Sequence, residues 1–229
     1  SVQADVKYDG ERFTWNNRVL VEYGNTFVKG EQETERAVSR DNLEVTTEGG
    51  YKLEEKGNYK IEIPYATLYT KGPLTSMDGR KFRETTGAKI TYTPAEGGEY
   101  SLKAGAGFQQ THDVKTDTWN NEFGVEVVAE AKQSMGFMKA PVVSALGAKV
   151  ENVTFLDRLE ANAQVNAFNP LQNGAALSNT DVGIKVGARY YLSDKKNIWL
   201  GVGKQWEYGG KQESSWESKF TADAGFKFD

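Results

Sequence analysis

Charged side chains recur at alternating positions through most of the sequence, and they are the residues best suited to bind or guide polar solutes. Basic and acidic members of this set are equal in number, so the set does not favour an anionic solute. Glu122, Glu126 and Glu130 recur every four residues, which makes this acidic row the best candidate for attracting cations. The candidate lining residues are Arg18, Glu22, Glu44, Glu48, Lys60, Glu62, Arg83, Lys89, Lys103, Glu122, Glu126, Glu130, Arg158, Glu160, Lys185, Arg189, Lys219 and Asp223.

Catalytic and metal-binding chemistry finds little support in the residue types. His112 is the only histidine, and Ser76 and Asp78 fall in another predicted outer loop, but nothing specifies a nucleophile beside it. The absence of cysteine excludes disulfides and thiolate metal sites. The glycines within predicted strands indicate backbone packing rather than phosphate binding. We therefore predict no enzymatic activity, no metal and no cofactor.

Composition narrows the class of protein further. The 229 residues are predicted to form one domain spanning 1–229. The net charge of -4 and the pI of about 5.3 provide no basic excess for binding nucleic acid. No stretch approaches the roughly 18 consecutive apolar residues of a membrane helix. A membrane strand needs only about 9–11 residues, every second of which is free to be polar.

Apolar residues follow a period of two, which predicts β-strands almost throughout the chain. The C-terminal run is the clearest, because its apolar positions from Trp216 to Phe228 share one face and its charges share the other. Tyr59, Tyr65 and Tyr69 are expected together on another apolar face. Short turns alternate with longer polar loops, as in outer-membrane barrels. The predicted fold is all-β, a closed antiparallel transmembrane β-barrel.

Two segments leave the number of strands open. Residues 132–156 contain Pro141 and alternate weakly, so they form either a strand or an insertion that restores the order of turns and loops. At the N-terminus the apolar positions change parity after Asp9 and Gly10, which indicates either a hairpin or a bulge in one long strand. Counting both segments as extra strands gives about 12 strands, which we prefer; the alternative is about 10 with an insertion at 132–156.

The distribution of aromatic and small residues favours a membrane barrel over a soluble sandwich. Aromatic residues lie near the predicted strand ends, as interfacial girdles do, and alanines occupy the middle of the apolar face. Lys204 also falls on the apolar face, where it either snorkels to the interface or is turned inward by a bulge. Pro64 interrupts a strand that would have no free edge. The predicted interfacial aromatics are Trp119, Trp206, Tyr208 and Trp216 at the outer ends, and Tyr92, Tyr100, Tyr190, Phe226 and Phe228 at the inner ends.

These features resemble those of small bacterial outer-membrane porins. The aromatic-ended last strand, Phe220 to Phe228, is similar to the signal that the barrel-assembly machinery reads in that family. Size and expected strand count are similar to the monomeric oligosaccharide channels for oligogalacturonate and sialic acid. The resemblance implies the outer membrane of a Gram-negative-type bacterium. It also implies contact with outer-membrane lipid and lipopolysaccharide, the assembly machinery and small hydrophilic solutes.

Several functions remain compatible with this pattern. The leading prediction is a channel for the passive diffusion of small hydrophilic solutes, whose lining charges set selectivity. The alternatives are a translocator or anchor barrel of the autotransporter kind, a non-conducting structural barrel, and a soluble β domain that binds ligands. The radius of the lumen separates them, because side chains fill small barrels and larger ones enclose channels.

Overall fold

The computed structural model describes most of the chain as β-strands. The described residues are 2–29, 34–73, 76, 79–95, 97–113, 115–146, 150–171, 180–192, 198–208 and 216–228. Their strands are β1 (Val2–Asp9), β2 (Phe13–Lys29), β3 (Thr34–Lys56), β4 (Tyr59–Gly72), β5 (Lys81–Tyr92), β6 (Gly98–Asp113), β7 (Thr118–Ser134), β8 (Leu159–Pro170), β9 (Asp181–Tyr191), β10 (Ile198–Tyr208) and β11 (Trp216–Phe228).

Strands that follow each other in the chain also lie next to each other in the sheet, in an antiparallel meander from β1 to β11. β1 then pairs with β11 in parallel and completes the ring of strands. An up-and-down meander with an odd number of strands brings its first and last strands together in the same direction, so this one pair is parallel. The connections after β1, β3, β5, β7 and β9 share one end of the barrel, called here the inner end. The other connections share the outer end.

The described residues form eleven strands, one fewer than the preferred prediction and one more than the alternative. Val2–Asp9 and Phe13–Lys29 form a hairpin, so the extra N-terminal strand is present. The described residues of 132–156 contain no separate strand, so the expected strand there is wrong. β7 ends at Ser134, and the connection to β8 is helical, as the insertion alternative proposed.

The helical insertion follows from local sequence. It comprises a 3₁₀ segment (Met135–Met138), helix α1 (Lys139–Leu146) and a second 3₁₀ segment (Val150–Arg158). The Ser134 hydroxyl accepts a hydrogen bond from the Gly136 amide at 3.4 Å and so caps the first segment. Pro141 lies in the first turn of α1, where the missing amide hydrogen leaves no helical hydrogen bond unmade. Because the insertion begins and ends at the inner end, β8 runs outward again and the order of turns and loops is restored.

The barrel is inverted relative to a soluble domain. Its outward face is apolar: Val202 is 63% exposed, Phe123 54% and Leu102 50%. Its inward face carries charges that are almost fully buried, with Glu62 at 0% exposure and Lys103 at 8%. A soluble fold would instead bury the apolar side chains and expose the charges. No helix in the described part of the chain is long and apolar enough to cross a membrane.

β4 carries a bulge at Ile63 and Pro64. Its pairing with β5 shifts register between Glu62 and Tyr65, so two residues of β4 stand opposite one residue of β5. Proline is tolerated at such a position because a bulge interrupts the ladder of hydrogen bonds. The bulge therefore accounts for Pro64 in a strand that is paired on both sides.

The bulge also exchanges the two faces of β4. Before it, Glu62 is buried and faces inward; after it, Tyr65 is buried and Leu68 is 49% exposed. The expectation that Tyr65 and Tyr69 share the outward face with Tyr59 is wrong, because the extra residue reverses the alternation. Both tyrosines line the lumen instead.

Candidate functional site: the charged lumen

The described residues enclose an outer and an inner cavity in the barrel interior. The outer one has a volume of about 470 Å³ and the inner one about 300 Å³. Both are lined by Arg18, Glu48, Tyr65 and Glu130, so these residues form the boundary between them. With Lys103, whose ammonium joins two of them, they are called here the central belt.

The central belt is a chain of opposite charges. Lys103 Nζ lies 2.6 Å from Glu48 Oε2 and 3.1 Å from Glu130 Oε2. The Tyr65 hydroxyl donates a hydrogen bond to the same Glu48 carboxylate. Lys89 adds a second cation, with its Nζ 3.7 Å from Glu48 Oε1. Each charge therefore faces an opposite one, which buried ions require if they are to remain ionised.

Two ion pairs cross the outer part of the lumen. Lys185 Nζ on β9 lies 3.2 Å from Glu44 Oε1 on β3, and Lys71 on β4 pairs with Glu207 on β10. In each case the two strands are five positions apart in one direction round the ring and six in the other. These pairs therefore join opposite walls. They are called here the trans-lumen pairs.

An arginine cluster occupies the wall of the outer cavity. Arg83 Nη1 lies 2.7 Å from Glu126 Oε1, and its Nε donates to Gln109 Oε1 at 2.8 Å. Its guanidinium carbon lies 4.3 Å from the ring centroid of Phe168, which is fully buried. This inward aromatic needs small neighbours: a Cβ placed on Gly124 would approach its ring at 2.7 Å.

A second cation–aromatic contact lies at the inner end. The Arg189 guanidinium is 4.9 Å from the centroid of Trp199, and its Nη2 donates to Gln3 Oε1 at 3.1 Å. The Tyr191 hydroxyl donates to Glu160 Oε1 at 3.1 Å. Both aromatic side chains are buried on the inward face.

Most predicted lining residues lie on the inward side of the strands. Glu122 accepts a hydrogen bond from Gln109 Nε2 at 3.3 Å, and Glu126 pairs with Arg83, so both belong to the arginine cluster. Glu130, the third member of the acidic row, belongs to the central belt. Arg158 ends the helical insertion rather than lying in a strand. Side chains of Glu22, Lys219 and Asp223 fall outside the described residues. The predicted residues that line the cavities are Arg18, Glu44, Glu48, Lys60, Arg83, Lys89, Lys103, Glu126, Glu130, Glu160, Lys185 and Arg189, and Glu62 is buried beside Lys60 and Lys89.

Sequence reasoning missed the aromatic component of the lumen. Phe168 and Trp199 face inward, because they fall on the polar side of the alternation in β8 and β10. Their positions in this alternation were enough to predict this orientation. Tyr65 and Tyr69 carried no such signal, because the bulge hides their orientation. Lys71 is likewise turned inward by the shift.

The described interfacial aromatics occupy both ends of the barrel. At the outer end Trp119 is 40% exposed, and its ring centroid lies 5.6 Å from that of Phe82. At the inner end Tyr92 lies between Tyr59 and Tyr100, with ring centroids 4.7 and 6.3 Å away. Trp206 and Tyr208 are among the last residues of β10, toward the outer end, where Tyr208 also borders the outer cavity. Tyr190 lies at the inner end of β9. Side chains of Trp216, Phe226 and Phe228 lie outside the described residues.

Lys204 stays on the outward face. Its Nζ is 5.0 Å from the ring centroids of both Trp206 and Phe220. The cation therefore points toward the aromatic residues near the outer end of the barrel, as the snorkelling alternative predicted.

His112 lies in β6, close to its outer end, and not in the predicted loop. Its Nε2 is 3.4 Å from Asp117 Oδ1, and its ring packs on Trp119 with centroids 4.8 Å apart. Of the two predicted neighbours, Ser76 accepts a hydrogen bond at its backbone carbonyl from Arg80 Nη2 at 3.2 Å, and Asp78 lies outside the described residues. The described residues contain no group of three or more potential metal ligands.

Strand order and inverted polarity together define a porin-like β-barrel. A solved structure described as the NanC porin in a rhombohedral crystal form matches 99% of this chain and 98% of its own, with a TM-score of 0.51 and 8% identity. The likeness shows the fold, and the predicted architectural resemblance to a porin is confirmed. Residues 1–72 match the family model described as a protein of unknown function, DUF3078. No curated protein matches the sequence.

Proposed function

We propose that this chain is an outer-membrane channel for the passive diffusion of small hydrophilic solutes. The observation that carries the proposal is the inverted barrel, in which an apolar outward face surrounds charged cavities. Hydrocarbon is the solvent that such an outward face requires, and a closed barrel satisfies the backbone hydrogen bonds there. The described lining consists largely of paired ions, and the proposed role is passive transport rather than catalysis.

The proposed channel selects weakly by charge. Cations of the outer cavity each have a carboxylate partner, as in the trans-lumen pairs and the central belt. Opposed charges across a water-filled lumen orient polar solutes without excluding one sign of ion. The trans-lumen pairs also narrow the path, so the solutes that pass are small.

The proposed location is the outer membrane of a Gram-negative-type bacterium. The outward apolar face then contacts lipid. Lys204, whose ammonium lies beside Trp206 near the outer end, can form ion pairs with lipopolysaccharide phosphates. The aromatic C-terminal strand serves the barrel-assembly machinery in this proposal.

The test is conductance of the purified full-length chain in planar lipid bilayers. A channel gives discrete, stable open steps with a permeability ratio for K⁺ over Cl⁻ close to one. Heat-modifiable migration on a denaturing gel first establishes that the chain is a folded membrane barrel. Folded barrels that insert but give no steps contradict the channel proposal.

A second candidate is a non-conducting structural or translocator barrel. The trans-lumen pairs favour it, because ion pairs that join opposite walls obstruct the lumen. This candidate predicts heat-modifiable barrels that remain silent in bilayers. Removal of the trans-lumen pairs then creates conductance where none existed.

A further inference from the structure

Four charged side chains of the outer cavity form a ring of alternating sign. The trans-lumen pairs supply all four, with Lys185 Nζ 3.2 Å from Glu44 Oε1 and with Lys71 bonded to Glu207. Glu44 on β3 also stands directly opposite Lys71 on β4 in the register of the sheet, so the two pairs are neighbours along one wall. On the other wall Lys185 stands opposite Gln205, which is two residues from Glu207. The four charged residues are called here the lumen quartet.

Each wall of the lumen quartet presents one cation beside one anion. Cβ atoms directly opposite each other on neighbouring antiparallel strands are about 4.5–5.5 Å apart. The side chains of Glu44 and Lys71 are therefore close enough for one small molecule to contact both. Lys185 and Glu207 are diagonal neighbours, at a separation that long side chains span. All four residues line the outer cavity of about 470 Å³, a volume within the range of small-molecule sites.

The charges of a solute decide how it fits between the two walls. Because the trans-lumen pairs join opposite walls, a solute that passes between the walls separates at least one pair. A solute with one charge satisfies one ion of that pair and leaves the other buried ion without an opposite charge, which is costly. A neutral solute leaves both ions in that state. A zwitterion replaces both partners at once, because its carboxylate meets a lysine and its ammonium meets a glutamate.

We propose that the lumen quartet is a binding site for small zwitterionic solutes of the amino-acid class. The carboxylate of the solute accepts hydrogen bonds from Lys71 or Lys185, and its ammonium donates to Glu44 or Glu207. Because the signs alternate round the ring, a solute moves from one wall to the other without losing an opposite charge at either end. The inference rests on the proposed channel function and names the solute class of that channel.

Uptake into proteoliposomes that contain the full-length chain tests the proposal. The probes are radiolabelled threonine and erythritol, a neutral polyol with the same number of carbons, each at low concentration. In the unmodified protein we expect threonine to enter about fivefold faster, the factor that one charge–charge contact at about 4 Å contributes in water. Threoninamide keeps only the ammonium and N-acetylthreonine keeps only the carboxylate, so neither should compete with threonine uptake as strongly as unlabelled threonine does.

The double variant Glu44→Gln, Lys185→Met removes one trans-lumen pair. It should bring the ratio of threonine to erythritol uptake close to one, while erythritol uptake itself rises because the path is wider. The matched control Glu99→Gln, Lys132→Met removes one anion and one cation from the inner cavity, where Lys132 Nζ lies 3.5 Å from Glu99 Oε1 on the neighbouring strand. Because that pair lies along one wall, a solute does not have to separate it, and the control should keep the ratio of the unmodified protein.

A ratio of one or less in the unmodified protein would overturn the proposal, and so would an unchanged ratio in E44Q/K185M. If that variant does not migrate as a folded barrel, Lys71→Met, Glu207→Gln removes the other pair and gives the same comparison.

Two further results would also overturn the proposal. An equal loss of preference in the inner-cavity control would show that the effect is not confined to the lumen quartet. Competition by threoninamide or N-acetylthreonine as strong as that of threonine would indicate a site for a single ion. Folded barrels that take up neither solute would give a different result, since they would reject the channel function itself and the proposal with it.

Discussion

Lys103 shows how single residues hold the interior together, because its ammonium lies between the carboxylates of Glu48 and Glu130. Alternation in the sequence predicts that all three residues lie on the inward face. It does not predict which of them meet, because partners across a ring depend on strand number and stagger. The pairing of Lys185 with Glu44, 141 positions away, has no local signal at all.

Replacing Lys103 with methionine should make the channel more selective for cations. The change leaves two carboxylates of the central belt without their shared cation, and a unit charge at about 4 Å is worth about 1 kcal/mol in water, or about fivefold in a permeability ratio. Reversal potentials in a KCl gradient measure this ratio. Leu102→Met, on the lipid-facing side of the same strand, is the control, and an unchanged ratio in K103M would count against the belt as the selectivity element.

Removing one trans-lumen pair should widen the path. The double variant Lys185→Met, Glu44→Gln takes away both charges, so neither is left buried without a partner. We expect a larger single-channel conductance than in the unmodified protein. Lys204→Met, on the outward face, is the control. Equal conductance in the double variant would show that this pair does not limit flow.

At the scale of whole elements, the strands with a clear local pattern of alternation could be predicted, and the elements without one could not. The C-terminal strand and the hairpin of β1 and β2 follow from alternation and a polar turn, and both are present. The bulge of β4 was not predictable from the sequence. One inserted residue leaves the apolar alternation looking regular, while it reverses which side chains point inward and which point outward. The helical insertion was recognisable only as an alternative, since its weak alternation fits either structure.

Lysine substitutions at two adjacent positions test the reversed faces of β4. Leu68→Lys should place a charge in lipid at a cost of up to about 2–4 kcal/mol, whereas Thr67→Lys should enter the lumen at a smaller cost. Urea unfolding of the refolded barrel in lipid vesicles measures the free energy of unfolding. If T67K proves the more destabilised of the two, the faces beyond the bulge are not those described.

At the scale of the molecule, the proposed function depends on the inverted distribution of polarity, with apolar side chains outward and charged side chains inward. The sequence predicts this inversion from the aromatic strand ends and the small residues between them. The sequence did not predict closure through a parallel β1–β11 pair, because one uncertain segment changes the number of strands from even to odd.

The most direct test of the central claim is quenching of tryptophan fluorescence by brominated lipids. The chain has five tryptophans. One variant keeps only Trp119, which is 40% exposed on the outward face, and the other keeps only Trp199, which is 2% exposed on the inward face. If the apolar face contacts lipid, quenching in vesicles should be strong for Trp119 and weak for Trp199. Strong quenching of Trp199 with none of Trp119 would contradict it, because the charged side of the strands would then face the lipid.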